Sequence, residues 1–493
     1  FIPLIETKAK SRLIATAEFA HLIPGHHRAV GKEGVSYIDD FEASKTSIDI
    51  KNMGAWRMAS IPQGQEDLFP NASLNNNLEI GFKRAKLAWY TIDPLFFRNT
   101  SITPPNINKT LTLANGSTVK QQSYHYVREI LETEVFPNRD PDLGSQITNL
   151  AVLDVAYYPE ERGPYNFDVE PSIYSAGLNE SGNLNTPESR WGGITRKIET
   201  NDFEAANIEF IEFWMLDPFL DNPNHEGGDL YINLGNISED ILKDSRKSFE
   251  NGLPIDGSDN NIDTTVWGRV PAIQSLVNAF DNDEGSRMNQ DLGYDGLDDE
   301  NERSFIYENG GINVAYVDRV RAFLGENSIA YQNAFEDPSS DNFKYFRSSD
   351  FDNNETPILE RYKNYNGVQG NSPTSEQSTE EYPTSSTNLP DVEDINNDQT
   401  LSEVESYYQY KITLNPESLE IGANYINDII ENVGPNNNAR WIQFKIPIQS
   451  YSTKVGSIQD FKSIRFIRTF FSGFNESVVC RFASFDLVRG EWR

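Results

Sequence analysis

A single cysteine, Cys480, leaves this 493-residue chain no internal disulfide framework and no cysteine-built zinc cluster. It lies in Val478-Val479-Cys480-Arg481-Phe482, a strand-like run where an inert thiol is expected rather than a nucleophile. Histidine is scarce as well. His21, His26, His27, His125 and His225 are scattered, no HExxH occurs, and His26-His27 reads as a turn. Neither a GxSxG elbow, nor a phosphate-binding GxxxxGKS/T loop, nor GxGxxG after a strand is found, so acyl transfer, nucleotide hydrolysis and dinucleotide binding have no motif behind them. No run reaches the roughly 20 apolar residues of a spanning helix. Nothing resembles a signal peptide, and the start at Phe1 predicts an excised fragment of a longer protein.

Positive charge is also short: 42 Lys and Arg stand against 75 Asp and Glu, a formal charge of −33. The averaged field repels phosphate backbones and anionic lipid surfaces, so nucleic acid is not expected as a partner. Such an acidic balance fits solubility outside the cytoplasm, or cation binding. What the chain does have is apolar material. Hydrophobic residues make up 37% and aromatics 12%, too much for a disordered chain. The length allows two or three domains, each with a sizeable core.

Residues 8–22 partly alternate, with Leu13, Ala15, Ala17, Phe19 and His21 on one face; the pattern fits a membrane-barrel strand and a soluble edge strand equally. From Gly34 the chain turns to short strands bounded by turns, starting at 35–42 and continuing at 86–93, 151–158, 193–200, 208–216 and 229–234. Strands resume at 407–414, 441–448, 463–471 and 478–488. The run from Ile208 to Leu216, IEFIEFWML, is nearly all apolar and predicts a strand covered on both faces, central in its sheet. Two short helices are expected, at 124–135 and at 239–251, the second capped by Ser238 and ended by Gly252 and Pro254. Residues 336–400 are rich in Ser, Thr, Asn, Asp, Glu and Pro and read as a linker or long surface loop.

Several blocks are similar to a jelly-roll sandwich of the carbohydrate-binding-module type: Ile38-Asp39-Asp40-Phe41-Glu42 followed by Trp56, then Trp191-Gly192-Gly193-Ile194, Asp202-Phe203 and the strand from Ile208. The closing blocks are Trp441–Ile448 (WIQFKIPI), Ile464-Arg465-Phe466-Ile467 and 482–488. One interrupted sandwich and two in tandem both fit, with a slight preference for two lobes.

More specifically, the chain resembles the SprA/Sov family, giant outer-membrane translocons of the Bacteroidetes type IX secretion and gliding-motility apparatus. The blocks that carry the resemblance are HLIPGHHRAVGKEGVSYIDDFEASKTSID, YYPEERGPYNFD, RWGGITRKIETNDFEAANIEFIEFWMLDPF, GDLYINLGNISEDILKDSRKSFENGLP, RYKNYNGVQGNSP and FASFDLVRGEWR, and they span almost the whole chain. The resemblance implies a very large barrel with soluble domains inserted between its strands. This chain lacks the many alternating strands such a barrel needs, so a mainly β inserted region is expected, with β-sandwich lobes, a few short helices and long polar loops. Its expected parts are a barrel-strand tail and linker at 1–33, a sandwich lobe with insertions at 34–335, the polar stretch at 336–400, and at 401–493 a second lobe or the completion of the first. The family implies secreted cargo, accessory outer-membrane and plug proteins and the rest of the barrel as partners. Because barrels carry their long loops outside, the cell-surface side is expected, the periplasmic side being the other placement.

The best local chemical signal runs from Asp394 to Glu405. Asp394, Asn396, Asp398, Thr400, Ser402 and Glu405 place oxygens at the positions that wrap a chain around Ca²⁺, so a structural calcium ion is expected there. Gln399 stands where glycine normally makes the sharp turn. A second acidic run, Asp291 to Glu302, combines carboxylates with glycine turns suited to a hard cation, at less regular spacing. The acid pairs Asp39-Asp40 and Glu160-Glu161 invite a glycosidase reading, but neighbours on a strand point to opposite faces. Trp191, Trp214, Trp267 and Trp441 are expected in the core, with Trp56 the candidate for exposure. The expectation for function is thus non-enzymatic: a cap that helps form or gate an export pore. A surface glycan-binding module is the alternative, and a glycoside hydrolase or lyase would need a cleft with convergent carboxylates.

Overall fold

The computed structural model describes residues 47–490 except 114–115, 117, 138–148, 255, 274–278, 282, 308–313, 367–372, 374–377, 379–388 and 435–437. The expected strands at 8–22 and 35–42 lie outside the described residues.

Strands dominate from the start: β1 Ser47–Asp49, β2 Arg57–Met58, β3 Ala85–Tyr90, and the small hairpin of β4 Thr110–Thr112 and β5 Thr118–Lys120. After the one-turn helix α1 Glu132–Val135 come β6 Leu153–Arg162, β7 Trp191–Lys197, β8 Ile208–Leu216 and β9 Gly228–Asn236. A second hairpin, β10 Ile262–Thr264 and β11 Arg269–Pro271, leads into the helical stretch. It holds α2 Glu284–Arg287, α3 Asp299–Ser304, α4 Tyr316–Leu324, α5 Ile329–Glu336, α6 Ser349–Asn353 and α7 Ile358–Lys363. The remaining strands are β12 Ser406–Leu414, β13 Ile426–Val433, β14 Ala439–Pro447, β15 Thr453–Val455, β16 Phe466–Ser472 and β17 Val478–Arg489.

Two antiparallel sheets result, and neither closes into a barrel. The first runs β13-β14-β8-β17-β6-β3, with β1 also on β17; the second runs β15-β12-β9-β16-β7-β2. Strands from before and after the polar stretch are interleaved in both. β17 is inserted between β8 and β6, and β16 between β9 and β7. Neither sheet can therefore be assembled from one half of the chain alone, and residues 46–490 form one unit.

Alternation along each strand turns one set of side chains into a core shared by both sheets. Tyr157 of β6 stacks on Phe471 of β16 at 5.8 Å, and Phe213 of β8 on Phe444 of β14 at 4.7 Å. Trp56, Trp89, Trp191, Trp267 and Trp441 are all under 2% exposed. At roughly 1.5–3 kcal/mol for each large apolar side chain buried, such contacts outweigh surface ion pairs worth about 0–1 kcal/mol each. β8 is covered on both faces as its sequence predicts: Ile211, Phe213 and Met215 enter the shared core, while Trp214 and Leu216 join Trp441 and Tyr126 on the opposite face. Trp56 corrects its expectation. It is fully buried, with Nε1 donating to the Ile50 carbonyl at 2.9 Å.

Both expected helices are corrected. Only Glu132–Val135 of the stretch 124–135 is α-helical. Arg481 donates to the His125 carbonyl at 2.6 Å and the Arg128 carbonyl at 3.0 Å, taking acceptors that a helix would offer its own N–H groups. Residues 239–251 form no helix at all. There the N–H groups go to carboxylates: Ile241, Leu242 and Ser248 donate to Glu393, and Asp244 and Ser245 donate to Asp240. Within the expected linker, residues 337–366 carry α6 and α7. Tyr345, Phe346, Ile358 and Tyr362 pack on the outer face of the first sheet, with Tyr362 stacked on Tyr90 at 4.6 Å. The edge strand β13 had no signal in the sequence, because its acids and two bulges break the alternation.

Candidate functional site

The loop 394–405 is turned on its own side chains. Asp394 accepts from the Asp398 N–H at 3.1 Å and the Gln399 N–H at 2.9 Å, and Asn396 Oδ1 accepts from the Asp398 N–H at 2.8 Å. Asp398 Oδ1 accepts from both the N–H and hydroxyl of Thr400, while Oδ2 pairs with Arg465 at 3.0 Å. Asn397 and Gln399 take left-handed φ of 57° and 66°, so the sharp turn forms without glycine. Glu405 is carried away from this turn. Both its oxygens lie on the guanidinium of Arg468, at 2.6 and 3.1 Å, and accept from the N–H groups of Ser238 and Gln63. Ser402 is held to Glu239, its N–H donating to Oε2 at 3.0 Å. The structure thus gathers Asp394, Asn396, Asp398 and Thr400 into one turn and places Ser402 and Glu405 on other partners.

The second acidic run is where carboxylates converge. The side-chain oxygens of Asp295, Glu302 and Asp341 lie within 4.8 Å of one another, and those of Asp299, Glu302 and Asp337 do the same. Gly293 and Gly296, at φ 66° and 67°, bend the chain into this cluster; a Cβ on Gly293 would stand 2.1 Å from Asp341 Oδ2. Helix α3, capped by Asp298 on the Asn301 N–H, then presents Asp299 and Glu302 three residues apart on one face. The loop 337–341 is brought in by the first sheet. Arg162, at the end of β6, donates to the carbonyls of Asp337 and Pro338 at 2.9 and 3.0 Å, and the Tyr165 N–H donates to the Ser339 carbonyl at 2.7 Å. Ser339 in turn donates from its hydroxyl to Asp295 Oδ2 at 2.6 Å and from its N–H to Glu302 Oε2 at 3.1 Å.

Burial pushes the carboxyls of Asp295, Glu302 and Asp341 well above the ordinary carboxylate range, and neighbouring acids push them further. Asp337 is raised too, by burial first, with Arg162 and Lys86 opposing. A cavity of about 550 Å³ opens over the cluster, lined among others by Arg287, Asp291, Asp299, Glu302, Asp341 and Lys344. Such an arrangement can hold a hard cation through oxygen. Of the run 291–302, Asp295, Asp299 and Glu302 converge, while Asp291 and Asp298 stay outside both triads. Asp337 and Asp341 fall in the polar stretch, where the spacing of acids in Asp337-Pro338-Ser339-Ser340-Asp341 is the one signal the sequence offers for them.

Other expected groups are dispersed. Glu160 is exposed and Glu161 pairs with Lys363, whereas Asp39 and Asp40 lie outside the described residues. Cys480 is buried in β17, and burial pushes its thiol up. Trp191, Trp214, Trp267 and Trp441 are buried as expected. No helix among the described residues is long and apolar enough to cross a membrane.

No curated protein matches the chain. Residues 315–493 match the family model SprA_N, described as a motility related/secretion protein. The matched part supplies six strands, β12 to β17, spread through both sheets, and so cannot be separated physically from residues 46–314. The resemblance read from the sequence agrees with this match, which makes residues 315–493 similar to the motility related/secretion protein family SprA_N.

Proposed function

We propose that this chain is a non-enzymatic module of an outer-membrane secretion translocon, a cap on the cell-surface side that helps form or gate the export pore and meets cargo through its surface. The observation that carries this reading is the secretion-family match together with the interleaving of the matched strands with all the others. A body whose two sheets are each completed by both halves of the chain suits a rigid part working by shape and contact. In this reading the sheets are a jelly-roll sandwich of the carbohydrate-binding-module type, adapted to a structural task. Its partners are secreted cargo, accessory and plug proteins of the outer membrane, and the barrel from which it hangs.

A glycan-binding module needs an exposed aromatic platform, and among the described residues every tryptophan is buried. No observation favours that second reading. Protease shaving and antibody labelling of intact cells test the surface assignment. Cleavage and labelling within residues 47–490 are expected; a region that stays inaccessible until the outer membrane is opened contradicts the placement.

A further inference from the structure

Carboxylates crowded in a protein interior need a counter-charge or must take up protons. Arg162 and Lys86 serve Asp337, and Arg287 serves Asp291. Among the described residues, none of Asp295, Glu302 and Asp341 forms an ion pair with Lys or Arg. Asp295 and Glu302 are each 1% exposed, so water does not replace the missing partner.

A further oxygen at the cluster, outside the triad, is buried without a hydrogen bond: the hydroxyl of Tyr307, a residue 3% exposed. It lies in the field of Asp295, Glu302 and Asp341 and beside Ser339, whose own hydroxyl is committed to Asp295. Buried polar atoms are nearly always satisfied, so this orphan beside three carboxylates that lack a cationic partner points to a cation among them.

We propose that Asp295, Glu302 and Asp341 bind a calcium ion, with Asp299 and Asp337 beside them and the adjoining cavity as its route in. The donors are all oxygen and include several carboxylates, the set calcium takes. Neither histidine nor cysteine belongs to the cluster, which disfavours zinc and the softer metals. The ion's physical effect is a clamp. Asp295 and Glu302 belong to the segment of α3, and Asp341 to the loop that Arg162 and Tyr165 fasten to the end of β6. Bridging them locks the helical stretch onto the sandwich.

The test follows thermal unfolding of the whole protein in chelator and in excess Ca²⁺, together with Tb³⁺ luminescence excited through Tyr165, Tyr294 and Tyr307. Calcium is expected to raise Tm by on the order of 5 °C, and Tb³⁺ to emit until Ca²⁺ displaces it. Asp341→Asn and Glu302→Gln should each abolish both responses, while Asp398→Ala, in the other acidic loop, should keep them. In chelator, Asp341→Asn should be at least as stable as the unmodified protein, because one crowded charge is gone. Unchanged Tm and no displaceable emission from the unmodified protein would overturn the site, as would responses that survive Asp341→Asn or vanish with Asp398→Ala. Should Glu302→Gln fail to fold, Asp341→Asn and the unmodified protein still decide the matter. An equal response to Mg²⁺ would overturn the choice of calcium.

Discussion

Glu405 and Arg468 meet with side chains 1% and 0% exposed, a pair taken wholly out of water. Replacing Arg468 by Met leaves a buried carboxylate facing only N–H donors, so a loss of about 3–5 kcal/mol is expected from urea unfolding. The double variant Arg468→Met with Glu405→Gln should recover part of that loss, because no charge is then stranded; equal losses in both would contradict the pairing. This pair also shows where residue-level reading of the sequence stops. The spacing from Asp394 to Glu405 is a sequence property, and four of its six residues do share a turn. What claims Glu405 is an arginine 63 residues further on, brought alongside by the β9–β12 and β9–β16 ladders. The convergence of Asp295 and Glu302 with Asp341 depends in the same way on Arg162 and Tyr165, which no local pattern connects to them.

At the scale of elements, the long central strands were legible, while the edge strand β13, the short hairpins and the helices were not. Ile208–Leu216 was found at its full length, and the strands read at 441–448 and 478–488 fall within a residue or two of β14 and β17. Their apolar alternation reflects a burial that the whole fold imposes. Residues 239–251 had a capping serine and a terminal glycine, yet the chain there wraps around Glu393, which is fully buried and accepts from the N–H groups of Ile241, Leu242 and Ser248. Propensity cannot foresee a carboxylate arriving from 145 residues away. Glu393→Ala should therefore strip those amides of their acceptors and cost on the order of 3 kcal/mol. Native-state hydrogen exchange should show the amides of residues 241, 242 and 248 losing protection while those of β8 keep theirs. Unaltered protection at these three positions would count against Glu393 as the organiser of the segment.

For the molecule as a whole, acidity and burial combine to set how stability depends on pH. Burial pushes Asp154 up to about 6 against the opposing pull of Arg481, and Asp486 up to about 6 with Asp49 adding to it and Lys51 and Ser47 opposing. Asp244 is pushed to about 7 by burial and then by Asp240, with Arg246 opposing. Each carboxyl binds its proton more tightly in the folded chain than in the unfolded one. Between the ordinary carboxylate value of about 4 and these raised values, the folded chain holds more protons, so stability falls as pH rises through that window. In chelator, the urea midpoint should be higher near pH 5 than near pH 8; a midpoint that climbs steadily with pH contradicts this.

The same scale shows why the architecture was only half legible. The sequence carries many short strands and a long polar interruption, which fits one lobe but slightly favours two. Only the fold shows β16 and β17, which start at Phe466 and Val478, entering the middle of sheets begun at β2 Arg57–Met58 and β1 Ser47–Asp49. That interleaving makes the secretion-family segment and the rest of the body one mechanical part. The proposed role in export is tested most directly by measuring cargo release from cells that make the protein without residues 47–490. Cargo accumulating inside the cell, or an outer membrane that becomes leaky, is expected; normal release through a tight membrane would contradict the proposed role.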